Sequence, residues 1–284
     1  MDSGKVDEAG NPIYELVPHT GVLQLEEGIE RIGTRAFQGC NHLTKVTIPD
    51  SVTELGSHAF YRMESLETVT LGAGITEIPR YTFYKCPVLQ TVITVGEITA
   101  VGDYAFRGCE VLTSFEMKNV STIGKYAFYG CKALKQVEFT NQLTAIGDYA
   151  FRGCSSIHSR VIPASVVSIG KHAFYGLNGT TLYCETASMP AGWNVYFNSS
   201  FRPVFWGCVL SEDGSYVISV SAGDNLDNSR ATRGISAPSR IGYQFNGWSL
   251  EQGDDTAEYN ADNVDQAPNG QKLHALWSTV DYTG

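Results

Sequence analysis

Residues 102–109 read GDYAFRGC, and residues 147–154 repeat the same eight letters. Near-copies begin at Gly33 (GTRAFQGC), Gly56 (GSHAFYRM), Pro79 (PRYTFYKC), Gly124 (GKYAFYGC) and Gly170 (GKHAFYGL). The shared phenylalanine falls at Phe37, Phe60, Phe83, Phe106, Phe128, Phe151 and Phe174, every 23 residues with one step of 22. A constant period of about 20–50 residues marks a stacked array, so each copy is expected to form one coil of a solenoid.

Within a coil the apolar frame runs Leu43, Val46, Ile48, Pro49, Val52, Leu55, Gly56, Ala59, Phe60 and Met63. Residues 43–49, LTKVTIP, alternate inward Val46 and Ile48 with outward Lys45 and Thr47, the period of two that marks a half-buried strand. Residues 51–56, SVTELG, read as a second short strand ending at a glycine where the chain turns. The AF motif predicts one helical turn, with Ala105 and Phe106 inward, Gly108 at a left-handed cap and Asp103 or Asp148 as N-cap. A helix so short has little stability alone. Stacking must supply it, each buried Phe contributing roughly 1.5–3 kcal/mol.

The pattern IG..AF..C..L..V.IP.SV..IG resembles the BspA-like class of leucine-rich repeat, over roughly residues 21–182. The resemblance implies a β-rich leucine-rich repeat solenoid with one-turn helices, an α/β repeat superhelix. A partial coil, GVLQLEEGIERIG from Gly21, opens the array with Val22, Leu23 and Leu25 as its first strand. Arg160 stands at an inward strand position. Burying an unpaired guanidinium is costly, so a local shift that turns Val161 inward is expected. After the last coil the rhythm stops, and residues 190–208, PAGWNVYFNSSFRPVFWGC, read as a cap over the open hydrophobic end. The alternative there is an aromatic ligand platform of Trp193, Phe197, Phe205 and Trp206.

Five of the seven cysteines, Cys40, Cys86, Cys109, Cys131 and Cys154, share one column with Met63 and Leu177. That slot reads as a small apolar filler rather than a metal or disulfide position. Cys184 and Cys208 lie outside it, and whether they pair stays open, since a bridge needs Cα atoms within about 7 Å.

From about Leu210 the signature changes. SYVISVS and KLHALWS read as strands, with a turn at Gly247 before Trp248. Tyr243, Phe245, Gly247, Trp248, Tyr259, Leu273, Ala275 and Trp277 resemble the internalin B-repeat, or Listeria-Bacteroides repeat, a β-grasp-like module of bacterial surface proteins. The early Asn-Gly-Gly turn of that family is replaced here by SAGDNLDN. The organisation expected is an N-terminal extension or cap (1–20), a solenoid of about seven 23-residue coils (21–184), a cap or linker (185–209) and a small β-grasp-like domain (210–284).

Thirty acidic against twenty basic residues leave a net charge of −10, which argues against nucleic acid or an anionic membrane as partner. No apolar run approaches the roughly 20 residues that span a bilayer, so no membrane insertion is expected of this chain. The six histidines form no His-Glu-x-x-His, and neither a Gly-x-Ser-x-Gly nor a phosphate-binding glycine loop occurs. The acidic stretches from Asp224 and Glu251 do not follow the EF-hand order. The expectation is no enzyme, with no catalytic, metal or cofactor residues. The opening MDSGKVDEAG lacks the basic and apolar regions of a signal peptide. Because proteins with this repeat are typically exported, an extracellular or cell-surface location with the leader already removed is expected.

Two surfaces stand out. Tyr81, Tyr104, Tyr126 and Tyr149 precede the repeated Ala or Thr, with Arg35, His58 and His172 in the same column. Tyr61, Tyr84, Arg107, Tyr129 and Arg152 follow the Phe. At a coil spacing near 4.8 Å these become ladders of residue types enriched at binding hot spots, although stacking alone also accounts for them. The alternative surface is the outward side of the first strands, with Lys45, Thr47, Thr68, Thr70, Ser114, Glu116, Gln136 and Glu138, a small and polar set suited to a broad protein contact. The two resemblances together imply a non-enzymatic, adhesin-like bacterial surface or secreted protein that engages a protein or glycan of a host or neighbouring cell. A structural stalk displaying another domain is one alternative, and a glycan-binding accessory protein is the other.

Overall fold

The computed structural model describes residues 5–6, 12–13, 21–177, 180–199, 204–210, 216–219, 243–251, 254, 256–260 and 272–279. Each coil lays down two short strands, and equivalent strands pair in parallel from coil to coil. In the first row Val22–Gln24, Lys45–Thr47, Thr68–Leu71 and Thr91–Thr94 lie side by side, with Val46 beside Val69 beside Val92. In the second row Arg31–Ile32 pairs with Glu54–Leu55, and Glu77–Ile78, Ala100–Val101, Thr122–Ile123, Ala145–Ile146 and Ser168–Ile169 form a five-stranded parallel sheet. The fixed step superimposes like on like. Val46 and Ile48 are buried while Lys45 is exposed, and six phenylalanines from Phe60 to Phe174 are fully buried. Successive rings from Phe37 onward stack at 5.2–5.7 Å, so one continuous aromatic column runs through the core.

The AF motif is a turn, not the expected helix, and among the described residues no helix forms. Tyr104 (φ 60°) and Gly108 (φ 79°) are both left-handed, and the same holds at Arg35, His58, Tyr81, Tyr126, Tyr149 and His172. A left-handed residue cannot propagate a right-handed helix; instead it swings alternate amides out of the coil. Tyr104, Phe106 and Gly108 donate to the carbonyls of Lys125, Ala127 and Tyr129 in the next coil, at 2.7–2.9 Å. Ala105, Arg107 and Cys109 donate back within the coil, each to the carbonyl three residues earlier. Half of the motif therefore pairs between coils, as a strand does. The acidic side chains follow the same logic: Asp103 and Asp148 accept from the Lys125 and Lys171 amides of the following coil rather than capping their own turn.

The glycine closing each second strand also has a different reason from the one expected. A Cβ at Gly102, Gly124, Gly147 or Gly170 would lie 2.4–2.6 Å from a backbone nitrogen of the preceding coil, so this column is glycine because two backbones nearly touch. The true left-handed glycine column is Gly39, Gly108, Gly130, Gly153 and Gly176, joined by Arg62 and Lys85.

Two further expectations are corrected, and the open question of Cys184 and Cys208 is answered. Arg160 stays in register, opposite Leu182, and is buried; no shift turns Val161 inward in its place. The Arg160 guanidinium donates to the Lys135 carbonyl, which makes its burial tolerable, and desolvation lowers its pKa to about 10 against the opposing pull of Glu138. Cys184 and Cys208 are both free, the first belonging to the main core and the second to a separate cluster. Nor does the rhythm stop after the last coil. Phe197 lies 23 residues beyond Phe174 and accepts its amide at 3.1 Å, Trp193 bridges to Ile169, and Thr181–Cys184 and Val204–Trp206 extend a row that starts at Ser159–Ile162. The cap is thus a degenerate coil. Trp193 and Phe197 are buried in it, Trp206 is half-buried against Trp193, and Phe205 is buried in a separate cluster with Trp248, so the four form no open platform.

Near the N-terminus, Lys5–Val6 and Pro12–Ile13 pair antiparallel. In the tail, Val209–Leu210, Tyr216–Ser219, Lys272–Thr279 and Tyr243–Ser249 form a four-stranded antiparallel sheet in that order, with a bulge between Phe245 and Gly247. The replaced turn at residues 221–228 lies outside the described residues. The tail is not a free bead. Trp248, Leu273 and Ala275 form one buried cluster with Tyr183, Phe205 and Cys208, so the tail covers the outward side of the last first-row strands.

Candidate functional site

The expected aromatic ladders are present. His58, Tyr81, Tyr104, Tyr126 and Tyr149 stack in sequence with centroids 4.6–4.8 Å apart and ring planes within 12°. In the second column Tyr61 stacks on Tyr84 at 5.0 Å. Arg107 then sits among Tyr84, Tyr104, Tyr126 and Tyr129 at 4.9–5.8 Å and donates to the Tyr84 hydroxyl, while Arg152 fills the next gap between Tyr129 and Tyr175. Burial raises the Tyr104 pKa, with help from Tyr81 and Tyr126, and burial beside Arg35 and Arg80 lowers that of His58. Tyr81, Tyr104 and Tyr126 each have a stacked ring on both faces. A sugar ring stacks on an open aromatic face, and within the ladder only ring edges and hydroxyls remain to meet a ligand. The ladder geometry offers no sugar platform between Tyr81 and Tyr149.

The first-strand face is less regular. Lys45, Thr47, Thr68 and Thr70 lie on an unbroken ladder, but Ser114 and Gln136 are joined only by an isolated bridge. Among the described residues no backbone hydrogen bond joins 92–94 to 114–117, where the register of the earlier coils would place three. Two substitutions and one deletion account for the break. Phe115 occupies the inward position held by Val46, Val69, Val92 and Val137, and it wedges against Phe106 and Phe128 at 5.1 and 5.7 Å. Phe139, two residues past Val137 at the position of Ile48, Leu71 and Met117, packs against Phe151 at 5.5 Å. The segment from Ser114 to Gly124 is also one residue shorter than its counterparts, which is the source of the single 22-residue step.

The result is a groove of about 580 Å³ lined by Val92, Ile93, Phe115, Glu116, Gln136 and Glu138, among others. Four of the eight predicted strand-face residues, Ser114, Glu116, Gln136 and Glu138, line it; the other four lie outside it. Ile93 (46% exposed) lines it and Val95 (59% exposed) lines the adjoining hollow, and neither was singled out in the sequence. Their signal was present, since Ile93 replaces Thr47 and Thr70 in an outward column. Among the described residues no cluster of three or more His, Cys, Asp or Glu side chains is arranged to hold a metal ion, and no helix is long and apolar enough to cross a membrane.

Parallel coils of 23 residues, with a two-strand frame and inward aliphatic columns, define a leucine-rich repeat solenoid. The family model for the BspA type leucine rich repeat region matches six copies over residues 20–120 and 99–202, and the chain belongs to that family. Among solved structures, a leucine rich cell surface protein from Faecalibacterium prausnitzii is similar at 29% identity and a TM-score of 0.53, over 69% of this chain and 53% of that one. This chain therefore spans about half the length of that relative. A leucine-rich repeat protein from Bacteroides ovatus (23% identity, TM-score 0.38, 66% of this chain and 63% of that one) and the T. pallidum leucine rich repeat protein (24%, 0.42, 61% and 72%) are also similar. No curated protein matches the chain.

Proposed function

We propose that this chain is a non-enzymatic, adhesin-like surface or secreted protein whose solenoid engages a macromolecule of a host or neighbouring cell. The tail, in this reading, is an internalin B-repeat-like, β-grasp-like module that holds the solenoid outward from an extracellular anchor. The observation that carries the reading is the groove in the first-strand face, where a regular array gives up ladder bonds and exposes Ile93 and Val95. The similarity to a leucine rich cell surface protein supports the location. The tyrosine and arginine ladders serve chiefly to bind coil to coil, because their ring faces are already occupied.

The test is binding of the purified chain to an array of matrix proteins and glycans, beside a variant with Tyr81, Tyr104 and Tyr126 changed to Ser and its fold verified. Binding that persists in the variant is the expected result and leaves the strand face as the site. Loss of binding moves the site to the ladder, and silence of the wild type across the array favours a structural stalk and sinks the adhesin reading.

A further inference from the structure

Resting on that reading, we infer that the groove takes an extended, basic segment of a partner polypeptide. Three features converge on this occupant. The strands on either side leave main-chain groups, including the Thr94 N–H and the Glu116 N–H and C=O, without the ladder partners that their counterparts hold. An extended peptide carries the complementary donors and acceptors, as in recognition by strand addition. Glu116 and Glu138 stand in adjacent coils of one outward column, and like charges so placed repel until a cation lies between them. Arg160 meets that need only in part, since it is buried, donates to the Lys135 carbonyl and draws on Glu138 from the protein side. Exposed Ile93 stands one coil from Glu116, with Val95 in the adjoining hollow, so apolar and acidic side chains lie side by side, matched by a strand alternating Lys or Arg with aliphatic residues. Lys118 lines both the groove and the adjoining hollow, where Glu97 joins it, so the groove's own lining carries two carboxylates against one ammonium. A glycan fits worse: Phe115 is the only aromatic lining the groove, and it is buried. A volume of about 580 Å³ lies within the range of ligand clefts, about 300–1,000 Å³.

The experiment is fluorescence anisotropy on the full chain with three labelled probes: a ten-residue peptide alternating Lys and Val, its Glu and Val counterpart, and a neutral oligosaccharide. The Lys peptide should bind, with the acidic peptide about tenfold weaker or worse. Glu116→Lys and Ile93→Ser should each weaken binding about fivefold with unchanged melting temperature, while Glu64→Lys, the same charge change on another exposed site, should leave it nearly unaffected. Equal loss with Glu64→Lys would reduce the effect to net charge and overturn the inference. So would wild-type affinity in both groove variants, binding of the acidic peptide alone, or preference for the oligosaccharide. The proposed function fails separately: a macromolecule captured on the array that Glu116→Lys and Ile93→Ser still hold leaves the adhesin standing and removes the groove from it.

Discussion

Tyr104 sits at φ 60° with a large side chain, a conformation that costs roughly 1–2 kcal/mol and is ordinarily left to glycine. Six other coils repeat the choice, so the stacked rings at 4.6–4.8 Å must offset the strain. Tyr104→Ala keeps the strain and loses the stack, whereas Tyr104→Gly loses the stack and the strain together. The alanine variant should therefore be the less stable by about 1 kcal/mol in urea unfolding. The buried thiols act between coils as well: those of Cys86, Cys109, Cys131 and Cys154 each donate to the phenylalanine carbonyl of the preceding coil at 3.0–3.1 Å. Burial pushes the Cys86 pKa up to about 12 and raises the other three, while His58 and His172 are lowered from 6.5, chiefly by burial. Below pH 6.5 the unfolded chain binds protons that the folded histidines refuse, so stability falls as pH falls. Above pH 9 the unfolded thiols release protons that the folded ones keep, so stability falls as pH rises. A urea midpoint measured across pH should be highest between these limits, and a pH-independent midpoint would refute the linkage. The repeated columns were legible in the sequence as columns. Their left-handed backbone was not, because Tyr, His and Arg conceal a conformation that glycine would have announced.

At the scale of the element, truncating one ring of the phenylalanine column leaves a cavity that the neighbouring coils cannot close. Phe106→Ala should cost about 3–5 kcal/mol, measured by chemical denaturation. The strand rows differ in how well they are paired, and amide exchange should show it. The Thr94 and Glu116 amides are expected to exchange faster than those of Ile48 and Val95, which donate to Thr70 and Leu71 at 2.9 Å. Equal protection would show the first row to be continuous. Both strands of the coil were readable from alternation in LTKVTIP and its counterparts. The break was not, although its ingredients, Phe115 and the 22-residue step, stand in the sequence. Whether an oversized inward residue is absorbed or splits a ladder depends on the free volume between coils, which no single coil carries.

For the whole molecule, the docking of the tail decides which part of the strand face is open. The outward column reads Thr47, Thr70, Ile93, Glu116 and Glu138, then turns apolar at Val161, Tyr183 and Phe205, where Trp248 packs. Trp248→Ala should loosen that contact by about 3–5 kcal/mol. Cys208, buried in the same cluster, should then react with a thiol reagent while Cys109 stays protected. Continued protection of Cys208 would show that the tail does not depend on Trp248.

The sequence alone determined the period, the coil frame, the inward columns and the family, because a stacked array repeats each local choice at a fixed interval and so writes its core into the letters. Tertiary structure alone decided the turn in place of the helix, the inward Arg160, the split in the first row and the buried docking of the tail. Each of these depends on hydrogen-bond partners and free space supplied by residues some 20 or more positions away.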